Sequence, residues 1–168
     1  MKFAMPISLI LLLLTPGFSI SQEIVSEEGL ENTFLVGEFN RSILQEGEFG
    51  KHFINEYKNY NPCNHTLQQL KKNIYETSIV IVLGTWCHDS QTQLGRFYKI
   101  LDLLDYNTNT VTNFCLDKDK LAGELDITDY NVEFVPTFIF YNELMETGRI
   151  VESPSTTLEK DILQILTQ

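Results

Sequence analysis

An uninterrupted apolar, largely β-branched run, Ile79-Val80-Ile81-Val82-Leu83, leads directly into Gly84-Thr85-Trp86-Cys87-His88-Asp89-Ser90. A run without polar alternation has to bury both faces, so it reads as a central strand covered on both sides. Gly84 and Thr85 end it. Beyond Ser90, Leu94, Phe97, Tyr98, Leu101 and Leu104 recur at helical spacing, so a helix follows at once. Cys87 is thereby predicted where strand hands over to helix, near the helix amino terminus. The unpaired N–H groups and macrodipole there favour a thiolate over a thiol. Free cysteine is also among the most often buried residues, so a structural thiol is the competing expectation. The junction and the adjacent Trp86 favour a nucleophile.

Trp86-Cys87-His88-Asp89-Ser90 resembles the Trp-Cys-x-x-Cys active site of the thioredoxin-like family, with serine in the second cysteine position. About fifty residues later, Phe134-Val135-Pro136-Thr137 resembles the family's cis-proline segment, which faces the active-site cysteine. The resemblance covers residues 66–168. It implies an α/β, thioredoxin-like fold, a central mixed sheet flanked by helices, here preceded by an N-terminal helical extension. It further implies that Cys87 is the nucleophile and that Trp86 shields one side of its sulfur and contributes to a substrate groove. Val135, before Pro136, would offer backbone groups to an extended peptide, a form of strand addition. Without the resemblance, Pro136 reads as a strand-start proline and Trp86 as ordinary packing.

Two positions depart from the family pattern. Ser90 replaces the second thiol, and a hydroxyl cannot attack a mixed disulfide. Ile81 replaces the family's buried acid, which helps move the proton of that second thiol, so the two losses agree. Ser90 is left to donate a hydrogen bond to the Cys87 thiolate or to cap the helix. His88 attracts a thiolate when cationic and shapes the surface when neutral. Asp89 acts against a thiolate, or simply complements the helix dipole.

Around this junction the chain divides into residues 1–21, a secretory signal; 22–64, a lead-in and helical extension; and 65–168, the thioredoxin-like domain. Lys2 gives the signal its positive start, residues 7–14 its short apolar core and Pro16-Gly17 its break, with Ser19 and Ser21 before cleavage at Gln22. So short a core cannot cross a ~30 Å hydrocarbon layer. The reading is an exported, soluble protein of the bacterial periplasm, or a secreted one. Residues 22–32 are an acidic lead-in, and residues 33–39 supply an edge strand. Helices are expected at about 49–60 and 66–75, the latter leading into the central strand. After the long helix come a strand at 110–116, a short helix at 121–127, a hairpin of strands at 137–141 and 146–151, and a last helix opened by Ser153-Pro154-Ser155-Thr156.

A formal net charge of -11 repels phosphate backbones and anionic lipid, which argues against nucleic-acid and membrane-surface binding. Three cysteines, Cys63, Cys87 and Cys115, leave at least one unpaired within the chain. Cys115, at the end of a strand, reads as buried, with a resolving thiol as the alternative. Cys63 and His65 are half a metal site without a second pair, so no metal or other cofactor is expected. Asn64-His65-Thr66 matches a glycosylation acceptor, which matters only in a eukaryotic secretory pathway. The function expected is single-cysteine thiol–disulfide exchange, of the isomerase or mixed-disulfide reductase type. Its partners would be a disulfide-bearing protein or small thiol and an external thiol donor. The rival is a non-catalytic binding module that keeps the fold and its groove.

Overall fold

The computed structural model describes residues 23–26 and 33–168; the predicted signal segment lies outside them. Six strands form one sheet in the order β1-β2-β4-β3-β5-β6. They are β1 (Glu23–Ser26), β2 (Thr33–Glu38), β3 (Thr77–Leu83), β4 (Thr112–Cys115), β5 (Thr137–Asn142) and β6 (Met145–Val151). The helices are α1 (Gly47–Asn59), α2 (Asn64–Leu70), α3 (His88–Leu103) and α4 (Leu158–Leu166). β3 runs parallel to β4 and antiparallel to β5, and β5 turns back into β6. A parallel β3-α3-β4 unit followed by an antiparallel hairpin and a closing helix is the thioredoxin-like α/β arrangement. Among the described residues no helix is long and apolar enough to cross a membrane.

The alternation of β3 explains both layers. Ile79, Ile81 and Leu83 face one side, where they join Phe53 of α1, Leu94, Phe97 and Leu101 of α3, and Phe138 and Phe140 of β5. Val80 and Val82 face the other, against Phe114, Leu116, Ala122, Val135 and Ile139. The predicted helix at 121–127 is absent from that second face. Ala122 and Leu125 instead form an isolated antiparallel bridge around Gly123, whose φ is +66°. Asp126 then accepts from the Thr128 amide and hydroxyl, starting a 3₁₀ turn at Thr128–Tyr130. A left-handed residue and a side chain that bonds the chain two residues on interrupt the helical ladder.

The segment ahead of residue 65 is built into the same core. Residues 23–26, read from sequence as part of a loose lead-in, pair with β2, so β2 is an interior strand between β1 and β4 and not the edge. The helix expected at 66–75 stops at Leu70, and a separate 3₁₀ turn, Ile74–Glu76, enters β3. α1 lies directly on α3 at Gly95, where an added Cβ would sit 2.2 Å from the Phe53 carbonyl oxygen. Arg41 clamps this contact with two hydrogen bonds to Asp102, at 2.7 and 2.6 Å, and its guanidinium lies 4.8 Å from the Tyr98 ring centre. The Tyr57 hydroxyl also donates to Asp102, at 2.7 Å.

Two carboxylates of this scaffold make it acid-sensitive. Burial raises the pKa of Asp102, but hydrogen bonds from Arg41 and Tyr57 outweigh it and hold the group below its ordinary 3.8. Glu159, only 3% exposed, is likewise raised by burial and then brought below 4.5 by hydrogen bonds that include the Tyr60 hydroxyl and the Cys63 amide. Both folded-state values lie beneath the unfolded ones. The stability they contribute is therefore present above the ordinary carboxylate range and lost as pH falls through the folded values. The urea midpoint is expected to hold from about pH 7 to 5 and to drop below about pH 4. Asp102→Asn should lower the midpoint at neutral pH and flatten that drop.

Candidate active site

β3 delivers the chain to a tight turn. The Cys87 amide donates to the Gly84 carbonyl at 2.9 Å, and the Gln91 amide donates to the Cys87 carbonyl at 3.0 Å. Cys87 itself is thus the N-cap of α3, with extended backbone at φ -83° and ψ 129°. Gly84 has to lack a side chain, because a Cβ there would lie 2.7 Å from the Trp86 indole. The indole folds back over the turn, and its Nε1 donates to the Leu116 carbonyl at 2.8 Å.

Four further contacts fix the turn. The Gly84 amide donates to Ser90 Oγ at 3.3 Å, and Gln91 Nε2 donates to the Thr85 carbonyl at 3.1 Å. The Leu35 amide of β2 donates to Thr85 Oγ1, also at 3.1 Å. The Cys87 thiol donates to the Val135 carbonyl at 3.2 Å. The Val135–Pro136 peptide bond is cis. Val135 is buried, Thr137 Oγ1 donates to the Phe134 carbonyl at 2.6 Å, and the Glu152 amide donates to the Pro136 carbonyl at 2.6 Å. The residue that follows β6 thereby braces the segment that faces the sulfur.

The structure brings Trp86, Cys87 and Val135 together on one face, in contact with the same apolar cluster. Cys87 and Trp86 are half-buried and His88 is exposed, so the sulfur lies at a surface; Phe134, which precedes Val135 in the chain, is 50% exposed. Lys120 lies against this ring: its Nζ is 5.2 Å from the Phe134 ring centre and donates to the Glu133 carbonyl. Ser90 is placed otherwise than the sequence reading allowed. It is fully buried in the first turn of α3, and its hydroxyl engages the Gly84 amide instead of the Cys87 sulfur. Cys87 occupies the cap position, so Ser90 does not cap the helix either. Side chains on a helix lean toward its amino end, which aims residue 90 back at the turn that precedes it. Ile81 is fully buried in an apolar cluster. Leu35, Thr85, Gln91 and Leu116 hold the turn without standing out in the sequence. Two of these contacts, Leu35 to Thr85 and Trp86 to Leu116, join residues 50 and 30 positions apart, and no local signal marks them.

The other thiols differ sharply. Cys115 pairs in register with Leu83 at the end of β4 and is fully buried, which pushes its pKa up. Cys63 is exposed at the start of α2, where the Thr66 amide and hydroxyl and the His65 amide lower its pKa. Among the described residues no group of three His, Cys, Asp or Glu side chains converges to hold a metal ion. Under native conditions iodoacetamide is expected to label Cys63 and Cys87 within minutes and to reach Cys115 only in denaturant, as read by peptide mass mapping.

No family model matches the chain. No curated protein matches its sequence. Among solved structures, a protein of unknown function from Pseudomonas aeruginosa is 16% identical with a TM-score of 0.48, the match covering 70% of this chain and 80% of that one. Thioredoxin O2 from Arabidopsis thaliana, in its oxidised state, is 20% identical with a TM-score of 0.41, over 62% of this chain and 86% of that one. Mitochondrial thioredoxin 3 from Saccharomyces cerevisiae is 18% identical with a TM-score of 0.36, over 65% and 98%.

Proposed function

We propose that this protein is an exported thiol–disulfide exchange enzyme that works through the single sulfur of Cys87. The observation that carries the reading is the position of that sulfur: half-exposed, at the amino terminus of a 16-residue helix, and against the Val135 carbonyl. The Cys87 thiolate attacks one sulfur of a substrate disulfide. A Cys87–substrate disulfide forms, the substrate's S–S bond breaks, and the departing thiolate takes up a proton.

The second half of the cycle needs a sulfur from elsewhere. Ser90 has none to offer and Cys115 is sealed in the core. An external thiol, or a second thiol of the substrate itself, attacks the mixed disulfide and regenerates Cys87. In the first case the external thiol attacks the substrate sulfur and the substrate leaves joined to it. Where Cys87 has instead attacked the small-thiol sulfur of a mixed disulfide, the substrate leaves as a free thiol in the first step, and the external thiol then removes the small thiol from Cys87 as a disulfide of the two. In the second case the substrate's disulfides are rearranged with no net oxidation or reduction. Both outcomes suit isomerisation and the clearing of mixed disulfides better than bulk reduction. Trp86, His88, Val135 and Pro136 border the reacting atom and would receive the substrate.

The test is turnover on a glutathionylated peptide in the presence of reduced glutathione. Protein-dependent release of the peptide thiol, with ping-pong kinetics, is the expected result; a rate equal to that of buffer would overturn the reading.

A further inference from the structure

On the α1 side of the junction, Leu35, Ile43, Phe49 and Thr85 surround an open cavity of about 210 Å³, together with the exposed residues Glu46 and Glu48. Its walls belong to β2, the 3₁₀ turn Ile43–Gln45 and the first turn of α1, so they lie in the extension and outside residues 66–168. Thr85 is the exception. It is anchored to β2 through the Leu35 amide, and only Trp86 separates it from Cys87. Their Cα atoms are therefore no more than ~7 Å apart. Trp86 turns away, toward the Leu116 carbonyl, and leaves the Thr85 side of the turn to the cavity.

We propose that this cavity is a second subsite for substrates of Cys87, and that it receives a lysine or arginine side chain two or three residues from the substrate's cysteine. The proposal rests on the exchange chemistry described above. The cavity falls below the ~300–1,000 Å³ of sites that hold whole small molecules, a size suited to one side chain. Its apolar walls match the alkyl stem of a basic residue, whose charged head stays near water. Glu48 is already held by Lys51 at 2.6 Å. Among the described residues no hydrogen bond or ion pair engages the Glu46 carboxylate, which leaves it for the incoming cation. A chain of net charge -11 also draws cationic segments toward its surface. An acidic side chain meets Glu46 as a like charge and is disfavoured. Extended backbone covers ~3.3–3.6 Å per residue, so two or three residues match the ~7 Å upper bound between the Cys87 and Thr85 Cα atoms.

The test uses three peptides that differ only two residues from a single cysteine, carrying Lys, norleucine or Glu there. Each is activated as a disulfide with thionitrobenzoate. Attack by Cys87 joins its sulfur to the peptide's, breaks the peptide–thionitrobenzoate bond and releases the coloured thiolate, while the Cys87 proton goes to solvent. Cys63→Ser removes the other accessible thiol. The Lys peptide is expected to react about three- to fivefold faster than the norleucine peptide, with the Glu peptide slowest. Glu46→Lys should reverse the order of the Lys and Glu peptides. The Glu46 side chain makes no cap hydrogen bond to α1, so this change leaves the helix start intact. Equal rates for the three peptides, or a common scaling of all three by Glu46→Lys, would overturn the subsite. If no peptide released thionitrobenzoate, the exchange reading itself would fall instead.

Discussion

Cys87→Ala is expected to remove glutathione-dependent turnover to the level of buffer, a loss on the order of a hundredfold or more, because no other group replaces a missing nucleophile. The fold should not change. The Cys87 side chain makes no cap hydrogen bond to α3, and its recorded partner is the Val135 carbonyl. Thermal unfolding of the variant should therefore lie within a few degrees of the wild type, separating lost chemistry from lost structure. Cys63→Ser supplies the control: Cys63 is exposed and outside the cluster that holds Trp86, Cys87 and Val135, so turnover should persist. Unchanged turnover in Cys87→Ala would mean that another group is the nucleophile, and unchanged partner binding with no turnover in either protein would favour a binding module that retains the groove alone.

The largest stability effect is expected at Gly95. In an exposed helix interior, Ala is better than Gly by about 1 kcal/mol, so propensity alone predicts stabilisation. Here a Cβ would meet the Phe53 carbonyl oxygen at 2.2 Å and the Tyr57 amide nitrogen at 2.9 Å. Both are backbone atoms of α1 and cannot rotate away. The helices have to separate, which loosens the packing of Phe53 on Tyr98, now 5.5 Å between ring centres, and the Arg41–Asp102 clamp. Overpacking of this kind costs about 1–3 kcal/mol or more, which exceeds the propensity gain. With two backbone atoms in the way the upper end of that cost applies, a net of about 2 kcal/mol after the propensity gain, so Gly95→Ala should lower Tm by roughly 4–8 °C, at about 2–4 °C per kcal/mol for a chain of this size. An unchanged or raised Tm would mean that α1 and α3 do not approach as closely as described.

What was legible in the sequence follows from the range of the forces involved. β3 and α3 could be read because their signals are local: a β-branched apolar run, then Leu94, Phe97, Tyr98 and Leu101 at helical spacing. The hairpin and the closing helix were readable on the same grounds. The helix predicted at 121–127 does not form, because Leu121 and Leu125 imitate an i, i+4 pair, while Gly123 in the left-handed region and the Asp126 bond to the Thr128 amide decide the backbone. The pairing of residues 23–26 has no clear signature in the sequence, because an edge strand of four residues carries little pattern of its own. At the site, the motif identified Cys87 and Ser90, but only three dimensions show that Ser90 serves the Gly84 amide. Thr85 becomes informative only once β2 is beside it, since a threonine ahead of a tryptophan has no distinguishing local chemistry.

The proposed exchange requires Cys87 to be an accessible nucleophile with no second sulfur of its own chain to release it. The most direct measurement exposes the native protein to excess oxidised glutathione, removes the reagent and follows the product by intact mass and peptide mapping, before and after reduced glutathione is added. The predicted result is one glutathione on Cys87, none on Cys115, and an adduct on Cys87 that persists until the external thiol arrives. An unmodified Cys87, or its rapid conversion to an internal disulfide with Cys63 or Cys115, would contradict the account.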